Sequence, residues 1–219
     1  VPNVKSLLLG LFVAVSLVAG PAGAQTAPNT LGKIKAAKAI NVAFSTDSLP
    51  FSFVGPDNQP AGYSIDICKR VIAQVGRAVG EPNLKVNWMP GSVTERLQMV
   101  AAGRADLECA NTTQTLARLG SVDFSNLIFV DGGGFLVTVA SPINGLADLS
   151  GKKIAVLAGT TTETRLRDTL KRRLVNANVV TINNANDGVA MLESGSVDAY
   201  AGDKIKLVLA ANGQEVAVS

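Results

Sequence analysis

The residues best equipped for chemistry fall just after predicted strands. Asn111-Thr112-Thr113, and then Arg118, follow a strand ending at Cys109. Gly159-Thr160-Thr161-Thr162 follow a strand ending at Leu157, at a helix start, and Asp203 follows a strand ending at Ala201. Arginine offers a planar fork that matches a carboxylate. A helix start with free N–H groups attracts anions, and a lone carboxylate favours a cation. Together these groups complement a small zwitterion, with its carboxylate on Arg118 and the Thr loops and its ammonium on Asp203. A free amino acid has that charge pattern. Each piece also has an ordinary reading: Arg118 as a solvated arginine, Thr160–Glu163 as a helix cap, Asp203 as the cap of a helix over 203–211. The functional reading comes from all three lying where two lobes could converge.

Other chemistry is excluded by what is missing. The chain has no His, so a Ser-His-Asp triad, a His-ligated zinc and an imidazole base are ruled out. Two Cys allow at most one disulfide and cannot form a four-thiolate site within one chain. No cofactor or metal is therefore expected. The 219 residues are 47% hydrophobic and 17% charged, which suits a globular chain and not a disordered one.

The elements that must position these residues follow from hydrophobic spacing. Leu31–Ala37 reads as a short helix capped by Thr30. Ile40–Phe44 reads as a buried strand, and Phe51–Val54 and Ala61–Tyr63 as a hairpin around Gly55–Asn58. Ser64 caps a helix with an apolar face of Ile65, Cys68, Ile72 and Val75. Strand Leu84–Met89, a helix opened by the capping box Ser92–Glu95, and strand Ala105–Cys109 complete one half. The second half repeats the plan: strand Lys153–Leu157, a helix from Thr160–Glu163 to about Leu174, strand Val179–Ile182, helix Gly188–Ser194 and strand Val197–Ala201. Both halves close on a helix, a Gly, two intervening residues and then an Asp: Gly103-Arg-Ala-Asp106 and Gly195-Ser-Val-Asp198. Alternating strands and helices imply βαβ units and parallel sheets. The fold class is α/β, with two lobes joined near Ser141-Pro142: lobe 1 over 31–140 and lobe 2 over 141–219. Ligands of such sheets bind beyond the C-terminal strand ends.

The N-terminus reads as an export signal. Lys5 is the only charge before Lys33, Leu7–Gly20 is apolar, and Ala22-Gly23-Ala24 is a cleavage pattern. Fourteen apolar residues fall short of the roughly 20 that span a bilayer. Residues 1–24 are expected to be removed and 25–30 to be a linker. The remaining chain carries 19 basic and 17 acidic groups, net +2, with no cluster of five like charges, so nucleic acid is not an expected partner. Export places Cys68 and Cys109 where they could pair, although buried free thiols remain open.

The ordered set Pro50-Phe-Ser-Phe53, Gly62-Tyr-Ser-Ile-Asp66, Asp106-Leu-Glu-Cys-Ala-Asn-Thr-Thr113 with Arg118, Val122-Asp-Phe-Ser125, Ala147-Asp-Leu-Ser-Gly-Lys152, Gly159-Thr-Thr161 and Leu192-Glu-Ser-Gly195 resembles the extracellular solute-binding proteins of polar amino-acid ABC transporters, in particular the glutamate/aspartate-binding group. The resemblance implies a two-lobe periplasmic-binding-protein architecture of type II, a monomer that closes over an amino acid and delivers it to a membrane permease. It puts the ligand carboxylate on Arg118, Thr113 and Thr161, and its ammonium on Asp203 and the Asn111 backbone. It puts a ligand side-chain carboxylate on Arg96 and an apolar wall at Phe51. Read alone, Arg96 is a surface residue in a first helical turn and Phe51 a core phenylalanine.

The chain departs from the acidic group at two positions. Ser45 stands where that group has an arginine, and Ala185 where it has a histidine. A polar amino acid is the expected ligand, with an acidic one as the narrower expectation. The family's return crossover to lobe 1 is expected to be missing before Ser219, with weaker closure as the consequence. Two rival functions use the same fold: a periplasmic dehydratase, for which Glu163 would be the candidate acid, and a receptor's sensor domain.

Overall fold

The computed structural model describes residues 29–211. The expected export signal and most of the linker lie outside the described residues, as does the C-terminal stretch 212–219. The order is α1 (Thr30–Ala37), β1 (Ala39–Phe44), β2 (Asp47–Ser48), β3 (Ser52–Val54), β4 (Pro60–Ala61), α2 (Tyr63–Val79), β5 (Lys85–Pro90), α3 (Val93–Ala101), β6 (Leu107–Cys109), α4 (Leu116–Leu119), β7 (Gly133–Leu136), β8 (Lys153–Leu157), α5 (Thr161–Arg172), β9 (Asn178–Ile182), α6 (Ala185–Glu193), β10 (Ala199–Asp203) and α7 (Lys204–Ala210).

In lobe 1, β1 lies between β5 and β6, all parallel. Its Ile40 and Val42 are fully buried, and the apolar face of α2 (Ile65, Cys68, Ile72, Val75) packs on them. In lobe 2 the order is β7-β10-β8-β9, with β7 antiparallel. Three consecutive residues of β8, Ile154, Ala155 and Val156, are fully buried, because both faces are covered. Leu166 and Leu170 of α5 join the core on one side; Leu192 of α6 and Leu207 of α7 join it on the other.

The repeated Gly-x-x-Asp has a mechanical cause. Gly103 (φ 66°) and Gly195 (φ 71°) adopt the left-handed backbone that ends the preceding helix. Three residues later, Asp106 Oδ2 accepts the Asn41 N–H at 2.8 Å, and Asp198 Oδ2 accepts the Lys153 N–H at 2.8 Å. Each carboxylate fixes the entry of the central strand of its lobe.

Several boundaries differ from expectation. Asn29, not Thr30, caps α1, so the expected linker ends earlier. Gly62 precedes α2, and Ser64 lies buried in its first turn instead of capping it. The lobe boundary also moves: β7, expected in lobe 1, pairs with β10 of the second sheet. Pairing with a distant strand leaves no local signal, so the sequence alone does not tie 133–136 to the second sheet. β2 was also not anticipated; two residues carry no period.

Cys68 and Cys109 form a disulfide, with Cα atoms 6.2 Å apart. It ties α2 to the end of β6, one residue before the Ala110–Thr113 run. Because it closes a loop with sequence separation 41, replacing both cysteines by alanine should lower unfolding stability by about 2–4 kcal/mol. Urea unfolding of the double variant, set against the oxidised protein, measures this.

Candidate functional site

The C-terminal ends of β1, β6, β8 and β10 converge on one cleft of about 610 Å³. Its walls include Ser45, Asp47, Arg96, Asn111, Thr113, Arg118, Thr160, Thr161, Asp203 and Lys206. The volume lies within the usual range for small-molecule sites. The lining is polar, and among the described residues it contains no aromatic side chain.

Arg118 rides on the single turn α4, whose start is held by Thr115 Oγ1 accepting the Arg118 N–H at 3.2 Å. Its guanidinium donates to Thr113 O at 2.7 Å and, across the cleft, to Gly159 O at 3.1 Å. Burial pulls its pKa below the ordinary arginine value, with Glu108 opposing and Arg96 adding to the fall. Thr113 and Thr161 meet hydroxyl to hydroxyl at 3.2 Å from opposite lobes.

Asp203 stands at the position before α7, yet its carboxylate makes no cap hydrogen bond there. It faces the cleft instead: Oδ2 accepts from Asn111 Nδ2 at 2.9 Å and Oδ1 from Thr162 Oγ1 at 3.4 Å. Burial raises its pKa; Lys206 works against this, Asp131 with it, and the bonds from Thr162 and Asn111 also hold it down. Asn111 thus meets Asp203 through its side chain.

Arg96 is neither a surface residue nor an unpaired cation. It is 2% exposed. Its Nε donates to Glu108 Oε1 at 2.7 Å and its Nη1 to Gly91 O at 2.6 Å, so its charge is already balanced. Phe51 does not line this cleft. It borders a neighbouring cavity and packs edge-on against Phe129 and Tyr63, at 5.0 and 6.2 Å between ring centroids. Aromatic pairing draws it into the lobe-1 core.

Sequence reasoning missed two groups at this site. Asp47 Oδ2 accepts the Ala185 N–H at 2.7 Å across the lobes, and Asp47 Oδ1 accepts from Ser45 Oγ at 3.0 Å. It thereby joins the two positions, 45 and 185, where the chain departs from the acidic group. Lys206 Nζ donates to Ser48 Oγ at 3.2 Å, also across the lobes. Helical spacing from Asp203 was the only signal for Lys206; Asp47 had none, because the contact that brings it to the site, with Ala185, is long-range. Glu163, the candidate acid of an enzyme, accepts the Gly159 N–H at 2.9 Å and pairs with Arg167 at 3.1 Å. Among the described residues no cluster of three or more potential metal ligands occurs, and no helix is long and apolar enough to cross a membrane.

Residues 40–205 match the bacterial extracellular solute-binding proteins, family 3. The chain belongs to this family. It is 32% identical over 194 residues to the L-glutamate/L-aspartate-binding protein of Pseudomonas aeruginosa, covering 88% of this chain and 64% of that one. It is 30% identical over 198 residues to the glutamate/aspartate import solute-binding protein of Salmonella typhimurium, covering 90% and 66%. The chain thus spans just under two thirds of the length of these relatives. Among solved structures it resembles an ancestral amino-acid-binding protein, a precursor of cyclohexadienyl dehydratase, at 27% identity and TM-score 0.74, covering 86% of this chain and 81% of that one. The two-lobe α/β fold of family 3 is therefore the fold of this chain.

At Gly159 the backbone of lobe 2 comes close to Thr94 of lobe 1. Its φ is 72°, and a Cβ there would meet Thr94 Oγ1 at 2.6 Å. Gly159→Ala should disfavour the closed arrangement by about 1–3 kcal/mol. Small-angle scattering should show a larger radius of gyration than for the parent protein.

Proposed function

We propose that the protein is the periplasmic solute-binding component of an amino-acid ABC transporter. It binds a polar α-amino acid by lobe closure and presents it to a membrane permease. The observation that carries this reading is the placement of Arg118 and Asp203, from opposite lobes, on one polar cleft of about 610 Å³. The ligand carboxylate lies on Arg118 with Thr113 and Thr161, and the ammonium on Asp203 with Asn111. Only the closed form lets both ends of the ligand be held together, so ligand shifts the lobes toward closure. The names of the relatives, which bind glutamate and aspartate, support an amino acid as the cargo.

Arg96 belongs to the cleft wall as the counter-ion of Glu108, not to the ligand's side chain, and Phe51 borders the adjoining cavity, which shares Asn111, Thr113 and Asp203 with the cleft. A dehydratase would need a free acid in the cleft. Glu163 is taken up by Gly159 and Arg167, which favours binding without a chemical step.

A thermal-shift screen of the twenty amino acids tests the function, since a ligand bound only by the native state raises the melting point. Polar amino acids should give the shifts. A charge-assisted hydrogen bond contributes about 1.5–3 kcal/mol, so Arg118→Ala should weaken binding about tenfold or more. An unchanged dissociation constant by calorimetry would overturn the assignment.

Asp203 supplies a pH signature. In the ligand-free protein burial raises its pKa above the ordinary aspartate value, whereas the ligand ammonium favours the ionised form. Binding therefore releases protons on the acid side. Affinity should fall as pH drops, beginning above the usual aspartate range, and Asp203→Asn should remove that acid limb.

A further inference from the structure

Lys206 takes no part in the grip just described, yet its ammonium lies on the same cleft. It sits one helical step beyond Asp203 in α7 and is partly buried. An ammonium has three N–H donors and no acceptor. Here, among the described residues, its hydrogen bonding is confined to Ser48 Oγ at 3.2 Å, and no carboxylate comes within 4.0 Å of it. A poorly solvated cation with one hydroxyl partner is costly. Burial accordingly pulls its pKa below the ordinary lysine value, while Asp203 and Asp47 act to hold it up and Arg96 adds to the fall.

The neighbouring acids act on it at a distance, and neither forms an ion pair with it. Asp47 is engaged by the Ala185 N–H and the Ser45 hydroxyl. Asp203 is held by Asn111 and Thr162 and, in the proposed grip, receives the ligand's ammonium. Of the other two cations of the wall, Arg96 has Glu108 as its partner, and Arg118 is committed to backbone carbonyls and, in the proposed grip, to the ligand's α-carboxylate. The same cleft wall carries the small residues Ser45 and Ser48 together with Asp47, and Ala185 lines the adjoining cavity that Lys206 also borders.

The geometry points to Lys206 as the group that reads the ligand's side chain by accepting a distal carboxylate, which makes the cargo a dicarboxylic amino acid. This inference rests on the amino-acid reading of the cleft. A ligand carboxylate supplies the direct ion-pair partner that no carboxylate of the described residues provides within 4.0 Å. An amide offers only a neutral acceptor, and charge-assisted bonds are roughly twice as strong as neutral ones. Lys206 also bridges the lobes through Ser48, so the same contact would report the ligand's charge to the closure.

Calorimetric titration of the full chain with L-glutamate, L-aspartate, L-glutamine and L-asparagine separates the possibilities. The parent protein should bind one of the acids about tenfold or more tighter than its amide. Lys206→Met should abolish that preference, weakening the acid about tenfold while the amide changes little. Lys206→Arg should retain it. If Lys206 were only a strut between the lobes, its loss would weaken acid and amide alike and leave their ratio intact, which overturns the inference. Equal binding of acid and amide by the parent protein overturns it without any variant and leaves the amino-acid site standing. Failure of every α-amino acid to bind overturns the site itself.

Discussion

A carboxylate held away from water at the junction of two lobes is the constraint around which the cleft is built. Asp203 could have capped α7, where solvent and helix N–H groups would stabilise it. Instead it faces inward, at an energetic cost that shows in its raised pKa. The cost is partly offset by Asn111 from lobe 1 and Thr162 from lobe 2. One charged oxygen pair thus draws on both lobes at once. Arg118 does the same from the other side, with one hydrogen bond to its own lobe and one to Gly159. Two partly buried groups of opposite sign, each fully hydrogen-bonded only when the lobes meet, are what would make closure and recognition a single event in the proposed function.

The rest of the fold holds these groups at the required spacing. Parallel strands deliver their ends to one side, and the strand entries are pinned by Asp106 and Asp198 in matching ways. The Cys68–Cys109 bridge anchors β6 just before Asn111 and Thr113, so the lobe-1 part of the site hangs from a strand that cannot slip against α2. Gly159 lets the lobe-2 backbone come close enough to receive the Arg118 guanidinium, a distance that a side chain would deny.

Local rules explain which features were readable in advance. The Ser92–Glu95 capping box involves partners three residues apart, and both of its hydrogen bonds are present. The apolar face of α2 follows a helical period and packs on β1 as that period requires. Thr160 caps α5, although the Glu163 carboxylate reaches back to Gly159, one residue earlier than the pattern implies. Where partners lie far apart in sequence, reading failed. β7 was placed in the wrong lobe because β10, its partner, lies more than sixty residues away. The resemblance implies an apolar wall at Phe51, and a phenylalanine at a predicted strand start says nothing about Phe129 and Tyr63 closing around it.

The amino-acid sequence by itself determined the alternation of strands and helices, the two-lobe α/β plan and the residue types available for a zwitterion, because each depends on spacing within one element or on the order of elements. Tertiary structure alone decided which charges are left to act. Arg96 is neutralised by Glu108, whereas Asp203 and Lys206 remain turned to the cleft from adjoining turns. Whether a charged side chain serves a neighbour or a ligand depends on what stands within a few ångströms of it. That distance is set by packing between elements, not by the neighbours it has along the chain.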